Sequence, residues 1–350
     1  MAAVKPLVLV TGVSGFVGSH VAYQLLEAGY SVRGTVRSAK LETLRSTAGA
    51  HYPNLELAVV DDVATGDFTD ALKGVGAIIH VASPLAGAGS PEEVLKGSIE
   101  GTLNVLRQAQ SNGVTKIVLT SSWGTTADPS FKDVYTGKTW NENSWGEATR
   151  EEATRPGRSP LWTYLASKIF AEREAWNFAD AHPEIDLATI HPPFIYGPYA
   201  PHFPARGSGS AAGTNGFIGA LITGPADRAL PPQFPPFFCD VRDVARAHVA
   251  ALKAPKISPG EEVRANRFLV SGGAFTWVEA VEYLRETRPE LAARLPVVKA
   301  AAEKPEGTLG TIDTGRAARV LGIEEYVGWK KTLDDTVDAL LEEEKKYAAL

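Results

Sequence analysis

Short apolar runs alternate with stretches of helical spacing along the first half of the chain. Val8, Leu9 and Val10 form an apolar strand that runs directly into Gly12, Gly15 and Gly18. Beyond them Val21, Leu25 and Leu26 give a buried stripe over residues 16 to 28, and Gly29 is placed to stop that helix. Residues 30 to 36 alternate Val32, Gly34 and Val36 with Arg33 and Thr35, so the unit closes as β-α-β. Further apolar runs at 55 to 60, 77 to 82, 116 to 120 and 185 to 190 read as strands. Helical spacing fills the intervals, in a segment that opens near Pro91 and carries Val94, Ile99, Leu103 and Leu106, and in another from Leu161 to Phe178. This alternation predicts an α/β fold, a mostly parallel sheet covered by helices on both faces and joined by right-handed crossovers.

Two stretches depart from it. Residues 123 to 160 are polar, with Trp140 and Trp145, and read as an excursion before the next helix. Residues 192 to 236 repeat Pro and Gly among aromatics and read either as a substrate lid or as an irregular packed loop, in which Phe203, Phe217 and Phe234 need not touch substrate. Helices follow from Asp240, a candidate N-cap, and over residues 276 to 287 and 331 to 348, with Ala300 to Gly310 as a connection.

The chain has 350 residues, 44% of them hydrophobic, and a net charge of −6, which supplies no broad attraction to nucleic acid. No apolar stretch approaches the roughly twenty residues that cross a bilayer, so no membrane partner is expected. Cys239 stands alone and seven histidines are scattered, so neither an internal disulfide nor a cysteine metal cluster is expected. Met1 to Pro6 is too short for a signal peptide before the first strand. A cytoplasmic, metal-free protein fits these features.

The chemistry begins at the glycines. Gly12 lets the chain turn, Gly15 lets a pyrophosphate approach the backbone, and Gly18 lets helix and strand pack closely, with the helix N-terminus facing the phosphates. Where a carboxylate would hold the ribose of NAD, this chain has Arg37, with Lys40 beyond it. A guanidinium pairs with a 2′-phosphate, so NADPH is expected over NADH. Asp61 and Asp62, at the end of a strand, are both candidates for the adenine amino group or for a simple turn. Thr120-Ser121-Ser122 ends another strand, and a serine there would bind a substrate carbonyl. Tyr164 and Lys168 are four apart and so neighbours on one helical face; the ammonium would favour the phenolate, and the phenol would protonate a developing alkoxide.

The ordered set Thr11 to Gly18, Ser121-Ser122, Tyr164 and Lys168 resembles the extended short-chain dehydrogenase/reductase family over nearly the entire chain. Gly34 to Ser38, His80 to Pro84, His191-Pro192-Pro193 with Tyr196-Gly197-Pro198, and Asp240 to Ala245 resemble its branch of dihydroflavonol, cinnamoyl-CoA and fungal carbonyl or methylglyoxal reductases. Trp140-Asn141-Glu142 and Trp145 favour the fungal members.

The resemblance implies a Rossmann-like cofactor domain over residues 1–190 and a smaller substrate-binding region over 191–350. Residues 237–255 and part of 265–275 would return to the first unit. It implies Ser122 as catalytic serine, Tyr164 as acid and base, and Lys168 as its partner. Phe16 and Val17 would approach the pyrophosphate, Arg37 and Lys40 the 2′-phosphate, and Asp62 and Val63 the adenine. Val81, Ser83 and Ser121 would line the adjoining cofactor path, and Pro192, Pro193 and Ile195 the nicotinamide side. The expected reaction is NADPH-dependent reduction of small ketones or aldehydes, diketones and ketoesters included, by a monomer or homodimer. A hydroxysteroid- or sugar-type dehydrogenase and a non-catalytic dinucleotide sensor are the alternatives. Trp123-Gly124 after the serine departs from plant-like members, and bulk there would reshape the pocket.

Overall fold

The computed structural model describes residues 5–84, 86–87, 89–204, 213–256, 266–298 and 306–348. Its strands are β1 (Leu7–Thr11), β2 (Ser31–Val36), β3 (Leu55–Val59), β4 (Val75–His80), β5 (Lys116–Thr120), β6 (Thr139–Trp140), β7 (Asp186–His191), β8 (Phe194–Tyr196), β9 (Phe237–Asp240), β10 (Arg267–Leu269), β11 (Gly273–Ala274) and β12 (Thr311–Ile312). Its helices are α1 (Phe16–Glu27), α2 (Leu41–Leu44), α3 (Thr69–Leu72), α4 (Pro91–Ser111), α5 (Arg150–Thr154), α6 (Pro160–Ala181), α7 (Asn215–Ile222), α8 (Val241–Ala251), α9 (Trp277–Thr287), α10 (Gly315–Leu321) and α11 (Trp329–Ala348).

Seven strands form one parallel sheet in the order β10-β7-β5-β4-β1-β2-β3. Period-two alternation splits the side chains of β1 between two cores. Val8 and Val10 pack on one face with Val21, Leu25, Val244 and Ala247, from α1 and α8. Leu9 packs on the other with Ile99, Leu103, Ala171 and Trp176, from α4 and α6. Both faces are therefore covered, as the near-continuous apolar strands required. Pro91 opens α4 behind a capping box in which Ser90 and Glu93 bond each other's backbone N–H.

The C-terminal part is built on a small sheet, β11-β9-β8, and an apolar cluster of Tyr196, Ile218, Phe238, Phe275, Trp277, Leu284 and Leu333. Residues 192 to 236 thus contain a strand and a helix, β8 and α7; their segment 205–212 lies outside the described residues, as do 1–4 and 299–305 of the expected N-terminal and connecting segments. Phe203 joins the core beside Tyr52, while Phe217 and Phe234 pack with Phe194 at ring separations of 6.0 and 5.6 Å. The chain crosses between the two parts more than once. β9 belongs to the small sheet, α8 packs on α1, and β10 is the edge of the large sheet.

Candidate active site

Because all seven strands run the same way, the loops after them share one edge. Chain order reverses at β1, which lies between β2 and β4, and this opens the crevice where such folds bind nucleotides. Gly12 sits there at φ +68°, a conformation that disfavours other residues. A Cβ on Gly18 would lie 2.3 Å from the Gly12 carbonyl oxygen, so only glycine allows α1 to start this close to the loop. Gly15 is the N-cap and offers no side-chain cap. The first intrahelical bond runs from Ser19 N–H to Gly15 O at 2.9 Å, leaving the N–H groups of Phe16, Val17 and Gly18 for an outside acceptor. That cradle fits a pyrophosphate. Phe16 is buried, edge-on to His20 and Tyr199.

Arg37 and Lys40 are exposed just past β2. Arg33 is not available to a phosphate: it donates to Glu56 at 2.8 Å and to the carbonyls of Ala71 and Lys73 at 3.0 and 2.6 Å. Asp61 accepts from the N–H and hydroxyl of Ser38 at 2.7 and 2.8 Å, and these bonds, with Arg37 nearby, hold its carboxyl below the usual range. Asp62 caps its own turn, accepting from Ala64 N–H and the Thr65 hydroxyl. Val63 follows, half-buried against Gly101, its carbonyl bonded by Asn104 at 3.0 Å.

Thr11 ties the glycine loop to the end of β4. Its hydroxyl oxygen accepts from Val81 and Ala82 N–H at 3.0 and 3.1 Å, so its own proton goes to His80 Nδ1, 2.7 Å away. Burial, and the charge of Lys168, push His80 down to about 3, and the ring is neutral. Ser83 follows, half-buried.

The end of β5 carries Ser121 and Ser122. Ser122 is half-buried, and its Oγ accepts from Gly124 N–H at 3.0 Å, leaving the hydroxyl proton free to donate. Gly124 lets this turn meet α6, since a Cβ there would lie 2.3 Å from Leu165 Cδ2. Leu165 adjoins Tyr164, so the phenol-bearing turn of α6 and the serine turn flank one contact. Lys168 is buried and donates from Nζ to the Thr120 carbonyl at 2.8 Å. Burial lowers Lys168 to about 8, opposed by the charge of Glu172, and raises the half-buried Tyr164 phenol to about 12. The ammonium was expected to favour the phenolate. Here it is turned to the end of β5 and burial dominates, so Tyr164 holds its proton. Trp123, whose bulk was expected to reshape the pocket, is buried among Phe131, Trp140 and Phe237. Pro192, past β7, accepts from Trp123 N–H at 2.9 Å; Pro193 and Ile195 beyond it are half-buried.

A buried polar group behind these residues escaped sequence reasoning. Glu172, two turns beyond Tyr164, accepts from Arg267 Nε and Ser121 Oγ at 2.7 Å each and from Trp176 Nε1 at 3.2 Å. Burial raises Glu172, but neighbouring His191 and Arg267, by charge and by hydrogen bonds from Arg267 and Ser121, hold it at about 2. His191 Nδ1 lies 3.2 Å from the Ser122 carbonyl, and Nε2 lies 2.8 Å from Thr189 Oγ1. The available signal was Glu172 continuing the four-residue spacing of Tyr164 and Lys168, and an arginine opening the apolar run at 267.

The arrangement defines a dinucleotide-binding α/β protein with a serine, a protonated phenol and a lysine gathered near its cofactor edge. The chain belongs to the NAD dependent epimerase/dehydratase family, whose pattern matches residues 8–264, and is an extended short-chain dehydrogenase/reductase related to fungal reductases. It is 34% identical to ketoreductase azaE of Aspergillus niger, over 98% of this chain and 100% of that one. It is 36% identical to aldehyde reductase 2 of Sporidiobolus salmonicolor, over 81% of each. The crystal structure of yeast methylglyoxal/isovaleraldehyde reductase Gre2 complexed with NADPH superposes with a TM-score of 0.83 at 28% identity, covering 97% of this chain and 99% of that one.

Proposed function

We propose that the chain reduces ketones or aldehydes to alcohols with NADPH, with Tyr164 giving the proton to the carbonyl oxygen. The observation that carries this reading is the join between α6 and the serine turn: Lys168 bonds the residue before Ser121-Ser122, and Leu165 packs on Gly124. Bound NADPH would supply the hydride. The Ser122 hydroxyl donates to the substrate oxygen, and Tyr164, held as the neutral phenol, transfers its proton as charge develops there. Lys168 keeps a positive charge near that centre up to about pH 8. Gly12, Gly15, Phe16, Val17 and Gly18 would hold the pyrophosphate, Arg37 and Lys40 the 2′-phosphate, and Asp62 and Val63 the adenine. Val81, Ser83, Ser121, Pro192, Pro193 and Ile195 would complete the cofactor path. The ketoreductase and aldehyde reductase names of the relatives support a carbonyl substrate.

The test follows NADPH and NADH absorbance with a panel of ketones, aldehydes, diketones and ketoesters. Faster loss of NADPH with at least one carbonyl is expected; a protein that binds NADPH and consumes none with the whole panel is not this enzyme. The same reading includes a cytoplasmic location and a monomer or homodimer, which fractionation and light scattering test. The lone, buried Cys239 suits a reducing compartment.

A further inference from the structure

The tripeptide Thr120-Ser121-Ser122 is held at every residue. The Thr120 carbonyl accepts from Lys168, and the Thr120 hydroxyl lies 2.7 Å from His248 Nε2. Ser121 N–H donates to Ile190 O at 2.8 Å, and Trp123 N–H to Pro192 O at 2.9 Å. The Ser121 hydroxyl donates to Glu172, and the Ser122 carbonyl faces His191 Nδ1. Within the tripeptide, the Ser122 hydroxyl is the side-chain group whose proton these bonds leave free.

Glu172 and Arg267 are 1% and 0% exposed. Burying such a pair is a poor source of stability, because desolvation offsets the attraction and an apolar pair of equal volume does as well. The geometry points to another use. Arg267 donates to the carbonyls of Glu142 and Ser144 and stacks on Trp145, its guanidinium carbon 3.8 Å from the ring centroid. One carboxylate therefore fixes both the serine turn and, through Arg267, the excursion over residues 142 to 145.

We infer that Glu172, oriented by Arg267, is a positioning residue for carbonyl reduction, acting through the placement of the Ser122 turn and not by touching substrate. This rests on the proposed reduction with Ser122 as the donor to the substrate oxygen. An error of about 1 Å in a reacting group costs roughly a hundredfold in rate. Loss of one anchor among several is expected to cost less.

The experiment measures kcat, carbonyl KM and NADPH affinity for Glu172→Gln, Ser121→Ala, Ser122→Ala and the two doubles that pair Ser122→Ala with each of the others. Glu172→Gln should lower kcat about tenfold with NADPH affinity within about twofold of wild type, and Ser121→Ala, at a residue that also lines the proposed cofactor path, should lower kcat about threefold at saturating NADPH. In the Ser122→Ala background each should add less than about a twofold loss, because the group it positions is gone. Losses that multiply fully in the doubles, or single variants with wild-type kcat, overturn the inference. Should Glu172→Gln not fold, Ser121→Ala, which removes one hydrogen bond and no buried charge, decides alone. A wild-type protein that leaves NADPH unconsumed with every carbonyl overturns the reduction itself, whereas an active wild type with an unaffected Ser121→Ala overturns only the positioning role.

Discussion

Replacing Gly18 by alanine tests the cofactor loop at its tightest contact. The added Cβ would lie 2.3 Å from Gly12 O, 2.9 Å from Gly12 C and 3.3 Å from Val13 Cα, all main-chain atoms that no rotamer change can move aside. Relieving the first contact takes a shift on the order of 1 Å between α1 and the loop, since carbon and other heavy atoms pack at about 3.5 Å. Overpacking of this kind costs about 1–3 kcal/mol. That strain falls where Gly15 N–H bonds Gly12 O at 2.8 Å and where the free N–H groups of α1 would meet the pyrophosphate. If most of it is relieved by moving the loop, NADPH affinity falls by about tenfold to a hundredfold, at 1.4 kcal/mol per decade. Titration by NADPH fluorescence or calorimetry reads this directly. Gly29→Ala is the control: Gly29 sits at φ +78° with nothing within 4 Å of its Cβ position, so it should lose about 1 kcal/mol of stability with unchanged affinity. A folded Gly18→Ala protein with wild-type NADPH affinity would refute the assignment of this loop to the cofactor.

Tyr164→Phe should lower kcat for reduction by about 10²- to 10⁴-fold, the usual worth of a positioned acid, with NADPH affinity retained; unchanged turnover would remove Tyr164 from the chemistry. Arg37→Ala should weaken NADPH by about tenfold or more and leave NADH nearly untouched, and equal effects on both would contradict the 2′-phosphate role. Acid should unfold the protein early. Burial holds His20, His191 and His248 at about 4 and His80 at about 3, against 6.5 when exposed. Between these values the unfolded chain binds protons that the folded one refuses, so stability drops by about 1.4 kcal/mol for each unit by which pH is lowered, for each ring charged on unfolding. Glu172, at about 2 against 4.5, contributes stability that is present above 4.5 and fades as pH drops toward 2. Denaturant melts followed by tryptophan fluorescence should show a steep loss from pH 6.5 to 4; a flat profile there would mean that these histidines are not held neutral in the folded protein.

Local physics made the nucleotide half readable. The strands of a doubly covered sheet are apolar throughout, and the Gly12-Gly15-Gly18 spacing is imposed by contacts within a few residues of one another, so both leave a pattern in sequence. Tyr164 and Lys168 were legible for the same reason, being one helical turn apart. What escaped depends on residues far apart in the chain. Arg267 meets Glu172 across 95 positions, and separately each reads as an ordinary strand-end or helix charge. The small sheet hid because β8 and β11 are three and two residues long, too short to show an alternation among prolines and glycines. Burial raises the Tyr164 phenol against the expected pull of Lys168 toward the phenolate, and spacing alone does not report burial. Asp61 and Asp62 remained equivalent in sequence; their partners separate them, one fastening Ser38 and the other capping its own turn.

The most direct measurement follows deuterium from NADPH labelled at both nicotinamide C4 positions during reaction with a reducible ketone. The label is expected on the carbinol carbon of the product, with wild-type turnover and a loss of at least about a hundredfold in Tyr164→Phe. A product carbinol without deuterium, or a phenylalanine variant as fast as wild type, would contradict hydride reduction with Tyr164 as the proton donor.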